Sequence, residues 1–386
     1  DFAVASGPSG ASTGSHEAIE LRDHGKTFSG ASVAKAVRNI ETKIARKLKG
    51  LDVYDQEVID LAMVELDGSE QKGRLGGNSI LGVSLAIARL SSQLSGQQLY
   101  LYLAKTYGYR KPSKLPTPLF NVINGGLHAD SGTDVQEFFL IPKKGNYWNR
   151  LDAAHKVISA LKLELAKKKL SVGVGDEGGF APKLNSNEKA LRLLHSAVHH
   201  AGLRLGRDIA LGIDAAATVF FDSDKEIYRF KADKRNFKPA SVYQLYARWI
   251  KKYHLEVIED GCSEDDLLGW QKLTVQLGKK ICLVGDDLFV TNPYRLQAGI
   301  IAGVANAVLI KPNQIGTLTE TMATISLAQR YGYKVVVSHR SGETVDDFIA
   351  DLAVAVGADY IKAGSLARGE RVAKYNRLLA IEEELS

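Results

Sequence analysis

The sequence predicts an α/β protein in which a (β/α)8-type barrel follows a smaller N-terminal region. Three observations predict it. Beyond residue 114, short β-branched apolar runs alternate with helical stretches, the pattern of parallel βα units. The runs are apolar almost throughout, as strands buried on both faces must be. Run after run also ends on an ionisable residue.

Taken in order, the first 113 residues read as mainly helical after a Gly/Ser-rich start. Val33, Val37, Ile40, Ile44 and Leu48 recur at helical spacing, with Gly50 where a C-terminal cap belongs. A second helical stretch is expected from Ile80 to Lys105. The segment Lys111-Pro112-Ser113-Lys114-Leu115-Pro116-Thr117-Pro118 then breaks any helix, because proline lacks the amide proton and restricts the residue before it. The boundary between two domains, 1–113 and 114–386, is placed there.

The strands beyond it are Leu211-Gly212-Ile213, Val257-Ile258, Ile281 to Val284, Ala307 to Ile310, Lys334 to Val337 and Tyr360-Ile361. They end on Asp214, Glu259, Asp286, Lys311, His339 and Lys362, at successive gaps of 45, 27, 25, 28 and 23 residues. The last four gaps suit one βα unit each. A flat sheet would spread these groups along an edge, whereas a closed barrel converges them on one mouth, where barrel enzymes build their sites.

Composition sets the remaining bounds. A chain of 386 residues, 45% hydrophobic, can bury a large core. Cys262 and Cys282 cannot build a disulfide framework, and a reducing, cytoplasmic setting is expected. Asp1 to Gly10 has neither the basic start nor the apolar core of a secretory signal. The most apolar stretch, Gly299 to Ile310, is too short for a membrane span, which needs about 20 residues. The formal charge of +6 lies in scattered lysine runs at expected helix ends, without an aromatic-interleaved basic stripe, so no nucleic-acid partner is expected.

Asp214, Glu259 and Asp286 put three like charges in one mouth, an arrangement that calls for a cation. Oxygen ligands without histidine or cysteine favour magnesium. The other reading of each acid is a helix N-cap. Lys311 and Lys362 at strand ends suit a general base beside that metal, where a dication would favour neutral lysine; the other readings are snorkelling surface lysines and a Schiff-base lysine. His339-Arg340-Ser341-Gly342-Glu343-Thr344 combines an arginine fork, a hydroxyl and helix-start amides, a receptor for phosphate or carboxylate. Gly175-Asp176-Glu177-Gly178-Gly179 puts a carboxylate in a close-approach loop. Gln136-Glu137 ends a strand-like stretch after the Asn124-Gly125-Gly126 turn and His128. Two such carboxylates can share a proton. Ser9 to Gly14 lacks the ending of a nucleotide P-loop and reads as a linker or a lid.

The strings Ser9 to Gly14, Asn124-Gly125-Gly126, Gly175 to Pro182, Ile258-Glu259-Asp260, Gly285-Asp286-Asp287, Lys311 to Thr317, Ser338 to Thr344 and Ile361 to Arg371 closely resemble enolase, in order along essentially the whole chain. The resemblance implies an N-terminal α+β cap and a barrel of ββαα(βα)6 order. It implies a lyase that interconverts 2-phosphoglycerate and phosphoenolpyruvate. Asp214, Glu259 and Asp286 would bind one Mg2+, and Ser12 would join the substrate around a second. Lys311 would be the base and Glu177 the acid, supported by Glu137, and His339, also catalytic, would close over the site with His128. His128, Gln136, Glu137, Arg340, Ser341 and Lys362 would surround the substrate. A homodimer or an octamer is implied as well.

Departures from the family pattern are Gly261-Cys262 after Glu259-Asp260, Ala363-Gly364-Ser365-Leu366 after Lys362, Val219 in place of a glutamate, and the absence of an opening hairpin, which would leave a strand edge of the cap unpaired. Three other readings stay open on the residues: a superfamily enzyme acting on a different acid, a Schiff-base aldolase, and a silent binding protein on this fold.

Overall fold

The computed structural model describes residues 1–10, 14–129 and 132–385. Eight strands close a barrel in the order β1-β11-β10-β9-β8-β7-β3-β2. They are β1 (Thr117–Asn124), β2 (Glu137–Pro142), β3 (Ile209–Asp214), β7 (Leu255–Glu259), β8 (Cys282–Gly285), β9 (Ala307–Ile310), β10 (Lys334–Ser338) and β11 (Tyr360–Lys362). Strand β2 runs antiparallel to both neighbours, and the other barrel pairs are parallel. Helices Tyr147–Lys167 and Asn187–His200 follow β2 before β3 begins, so the order is ββαα(βα)6. The long gap between Asp214 and Glu259 holds a small antiparallel sheet, β4 (Phe221–Asp222), β5 (Ile227–Phe230) and β6 (Arg235–Phe237), outside the barrel.

Alternation along the strands divides the core in two. Leu119, Phe139, Ile141, Ala210, Val257, Cys282, Val284, Ala307, Leu309 and Val336, with Tyr360 against them, form one cluster drawn from all eight barrel strands. This is the filling of the barrel itself. The intervening residues, among them Ile213, Ile258, Leu283, Val308, Ile310 and Val337, pack outward against the helices. Because side chains repeat every two residues, the inward series continues past the last packed layer. Its next members are Asn121, Glu137, Asp214, Glu259, Asp286, Lys311, Ser338 and Lys362. The lumen is apolar below and ionisable at the mouth, in one register.

In the smaller N-terminal domain the regular elements among the described residues are helices. The periodic stretch becomes Ala34–Asn39, a π turn over Ile40–Ile44, and Ala45–Leu48. Ile44 packs with Ile59, Met63, Leu75 and Ile80 as a separate small core. The expected single helix from Ile80 to Lys105 is instead two, Gly77–Leu94 and Leu99–Thr106, with Gly96 in the left-handed region between them. The strand edge expected without an opening hairpin is also absent from the described residues. The extended chain there is tied down: Ala18 N–H donates to Gln314, Ile19 N–H to Gln71, and the Ile19 carbonyl accepts from Gly77. Asp60 accepts from the amide and hydroxyl of Thr319, and Lys72 pairs with Glu320 at 2.9 Å, fastening this domain to the barrel.

Among the described residues, no helix is long and apolar enough to cross a membrane.

Candidate active site

The barrel mouth is a cleft whose lining includes His128, Glu137, Glu177, Asp214, Asp286, Lys311, Arg340 and Lys362. Glu259 lies behind Lys362 rather than on the lining. Gln136, His339 and Ser341 also face the cleft. Ser12 lies outside the described residues.

The structure corrects the placement of Glu137. It does not end a strand; it begins β2. Because β2 runs against its neighbours, its first residue comes to the end where the parallel strands finish, opposite Asp214 in register. Two turns of sequence logic thus deliver acids to the same mouth from opposite chain directions.

Two lysines neutralise the acids. Lys362 Nζ lies 2.8 and 3.0 Å from the Glu259 oxygens, 3.1 Å from Glu137 and 3.4 Å from Asp214. Lys311 Nζ lies 2.6 Å from Asp286 Oδ2. Burial works against charging both ammonium groups, but the surrounding carboxylates outweigh it and raise both above the ordinary lysine value. None of the three acids caps a helix. Asp214 accepts from the Ala216 amide, Glu259 holds Lys362, and Asp286 holds Lys311 and the Gln314 amide group at 2.9 Å.

Among the described residues the closest groupings of ligand atoms are Asp260, Asp286 and Asp287, and His128, Glu137 and Glu177. Of the trio Asp214, Glu259 and Asp286, the first two lie against Lys362 and the third against Lys311. Asp260 already has employment: its two oxygens accept the backbone N–H groups of Asp286 and Asp287, each at 2.9 Å. It holds the strand end that presents Asp286. The chemistry of the site nonetheless fits a hard dication. Every acid beneath Lys362 and Lys311 offers carboxylate oxygen, and burial together with the charge of Asp214 pushes Glu259 up to about 8. Burial and Asp286 likewise push Asp287 up to about 7. Carboxylates that raise one another in this way are stabilised by a cation.

Across the cleft stands a second group. Glu177 is buried in the Gly175–Gly179 loop; Gly178 there has φ +82°, and a β-carbon on it would come within 2.7 Å of the Ala367 carbonyl. Asn121 donates to Glu177 Oε2 at 2.8 Å, while His339 Nε2 and His128 Nδ1 lie 3.5 and 3.7 Å from Oε1. His128 Nδ1 is also 3.5 Å from Glu137. Burial and the neighbouring Glu177 charge raise Glu137 well above the carboxylate range, despite Lys362. Burial also works to raise Glu177, but the facing histidines and Lys362 hold it low. Burial pushes His339 down to about 3, so its ring is neutral near pH 7. Two buried carboxylates pushed apart in this way can share one proton.

Arg340 is buried and forked onto Glu17, with Nη1 2.7 Å and Nη2 3.3 Å from its oxygens, and reaches Asn313 Oδ1 at 3.0 Å. The helix after β10 begins only at Phe348, whose amide donates to Asp346 Oδ1 at 2.9 Å. The helix-start amides expected at Arg340-Ser341 are therefore not there, because Ser9 and Gly342 exchange backbone hydrogen bonds and hold this loop extended. Sequence reasoning missed Glu17, Asp260, Asn121 and Gln314. Asn121 could have been found by counting two residues on from the inward Leu119; the others depend on contacts distant in sequence.

The family departures are absorbed locally. Cys262 is buried beside Tyr228 and Tyr243, and a β-carbon on Gly261 would meet Ile258 and Leu273 at 3.0 Å. Ser365 N–H donates to the Glu177 carbonyl at 2.9 Å, so the changed loop still braces Glu177. Val219 lies at the cleft rim, half exposed.

A barrel with an apolar lumen and a buried ionisable mouth of acids, lysines and an arginine is the framework of an enzyme that works on a small molecule. The model of the enolase C-terminal TIM barrel domain matches residues 112–386, and that of the enolase N-terminal domain matches residues 1–103. The chain belongs to the enolase family. It is thus a lyase-type enzyme of the enolase superfamily, a metal-dependent group, and its acidic clusters could hold a metal.

Proposed function

We propose that this protein catalyses the magnesium-dependent, reversible dehydration of 2-phosphoglycerate to phosphoenolpyruvate. One observation carries the reading: a single cleft presents Lys311 and the Glu137–Glu177 pair, with the cations Lys362 and Arg340 beside them. The reaction needs that set. The C2 proton, α to a carboxylate, is very weakly acidic, and its removal leaves a second negative charge on the carboxylate. Lys311, once unprotonated, takes that proton. Lys362 lies where the carboxylate charge grows, and placed positive charge there lowers the barrier. Arg340 and Ser341 take the phosphate, with Glu17 fixing the arginine's fork.

The departing C3 hydroxyl needs a proton. Glu177 in its protonated form delivers it, the proton it shares with Glu137 passing to the hydroxyl, which leaves as water. His128, Gln136 and His339 enclose this end. Asp214, Glu259 and Asp286 would hold Mg2+, with Ser12 and the substrate completing a second ion's shell. Bound there, the metal supplies Lewis-acid stabilisation of the developing carboxylate charge. The domain division at 113/114, a cytoplasmic setting and a homo-oligomer, a dimer or an octamer, belong to the same reading.

An absorbance assay for phosphoenolpyruvate formation, run with and without magnesium, tests it. Formation only with the metal is expected. A fully folded, magnesium-loaded protein that leaves 2-phosphoglycerate unchanged would overturn it.

A further inference from the structure

Arg371 lies on the last helix, Gly369–Leu385, outside the series of strand ends that builds the cleft. Its side chain is fully buried. It is bound to both loops that carry the acid end of the site. Nη2 donates to the carbonyl of Asp176, next to Glu177, at 3.0 Å and to that of Ser341 at 2.6 Å. Nη1 donates to the Arg340 carbonyl at 2.5 Å and lies 2.6 Å from His339 Nδ1. Gly364 packs against the stem: a β-carbon there would come within 2.8 Å of Arg371 Cδ.

The last of those contacts fixes a proton. A guanidinium has only donors, so the histidine nitrogen facing it must accept. A neutral imidazole has one N–H, and with Nδ1 accepting, that hydrogen is on Nε2. Nε2 is the nitrogen 3.5 Å from Glu177 Oε1. We propose that Arg371 is a positioning residue that locks neutral His339 in the Nε2–H tautomer, so that the ring always presents a donor to Glu177.

The consequence rests on the functional reading above. With Asn121 donating to Oε2 and an N–H of His339 facing Oε1, both oxygens of the Glu177 carboxyl are oriented before it gives its proton to the leaving hydroxyl. A His339 ring in the other tautomer would present a lone pair to Glu177 in place of the N–H that faces Oε1 at 3.5 Å. Burial, which keeps His339 neutral, makes the choice of tautomer matter.

The test is nitrogen NMR of the intact protein labelled with 15N-histidine, without substrate, the His339 signals being assigned by their loss in His339→Gln. The wild type is expected to show an unprotonated Nδ1 and a protonated Nε2. Arg371→Lys, which keeps a donor, is expected to retain that pattern, and Arg371→Met to lose it together with at least ~100-fold in turnover, the low end for acid–base contributions. A protonated Nδ1 in the wild type overturns the proposal even if Arg371→Met does not fold. So does an unchanged pattern in a folded Arg371→Met. Because the spectrum needs no substrate, a wrong substrate assignment leaves it unaffected, and the two readings fail separately.

Discussion

Replacing Lys311 by Ala separates the base from the acid. The variant removes the ammonium 2.6 Å from Asp286 Oδ2 and leaves a buried carboxylate short of a partner. Breaking a buried pair from one side costs about 3–5 kcal/mol. Asp286 keeps the Gln314 amide at 2.9 Å on its other oxygen and Lys311 is not wholly enclosed, so the lower end, about 3 kcal/mol, is expected in urea unfolding. The chemical loss is separate: at least ~100-fold in dehydration. The comparison variant is Glu177→Gln, which keeps the shape and an oxygen for Asn121 Nδ2 to reach. If Lys311 removes the C2 proton before hydroxide leaves, Lys311→Ala loses both dehydration and exchange of the C2 hydrogen with solvent. Glu177→Gln loses dehydration but still exchanges, since its base remains. NMR of 2-phosphoglycerate in heavy water with magnesium reads both processes in one sample. Exchange that survives in Lys311→Ala, or vanishes in a folded Glu177→Gln with unchanged metal binding, refutes the assignment of roles.

Exhaustive chelation is expected to abolish activity and added magnesium to restore it; activity that persists after chelation would rule out a metal requirement. Asp286→Asn keeps the shape but removes a charge, so calorimetry should find weaker magnesium binding, and equal binding would mean that Asp286 is not a ligand. Asp260→Asn sets an NH2 group against one of two backbone N–H donors and is expected to cost about 1–3 kcal/mol in unfolding experiments; an unchanged midpoint would show that those bonds do not hold the strand end. Cys262→Leu overpacks the space beside Tyr228 and Tyr243 and is expected to cost about 1–3 kcal/mol, whereas a gain in stability would reveal unfilled volume there.

The sequence by itself determined the strands and what stands at their ends. Asp214, Glu259, Asp286, Lys311 and Lys362 continue the inward series of their strands, and a period of two is a local property that any short run displays. Parallel strands bring such ends to one mouth, so the barrel and its ionisable rim could be read without coordinates. Glu137 could be read as a site acid but not placed, because the direction of β2 is set by pairing with β1 and β3. The tertiary structure alone decided the rest. Lys362 takes Glu259 and Asp214 while Lys311 takes Asp286. Arg340 is oriented by Glu17, 323 residues away, and His339 by an arginine on the final helix. A carboxylate's choice of partner depends on which charges lie within a few ångströms once the barrel has closed and the N-terminal domain has docked. Spacing along the chain carries no record of that distance.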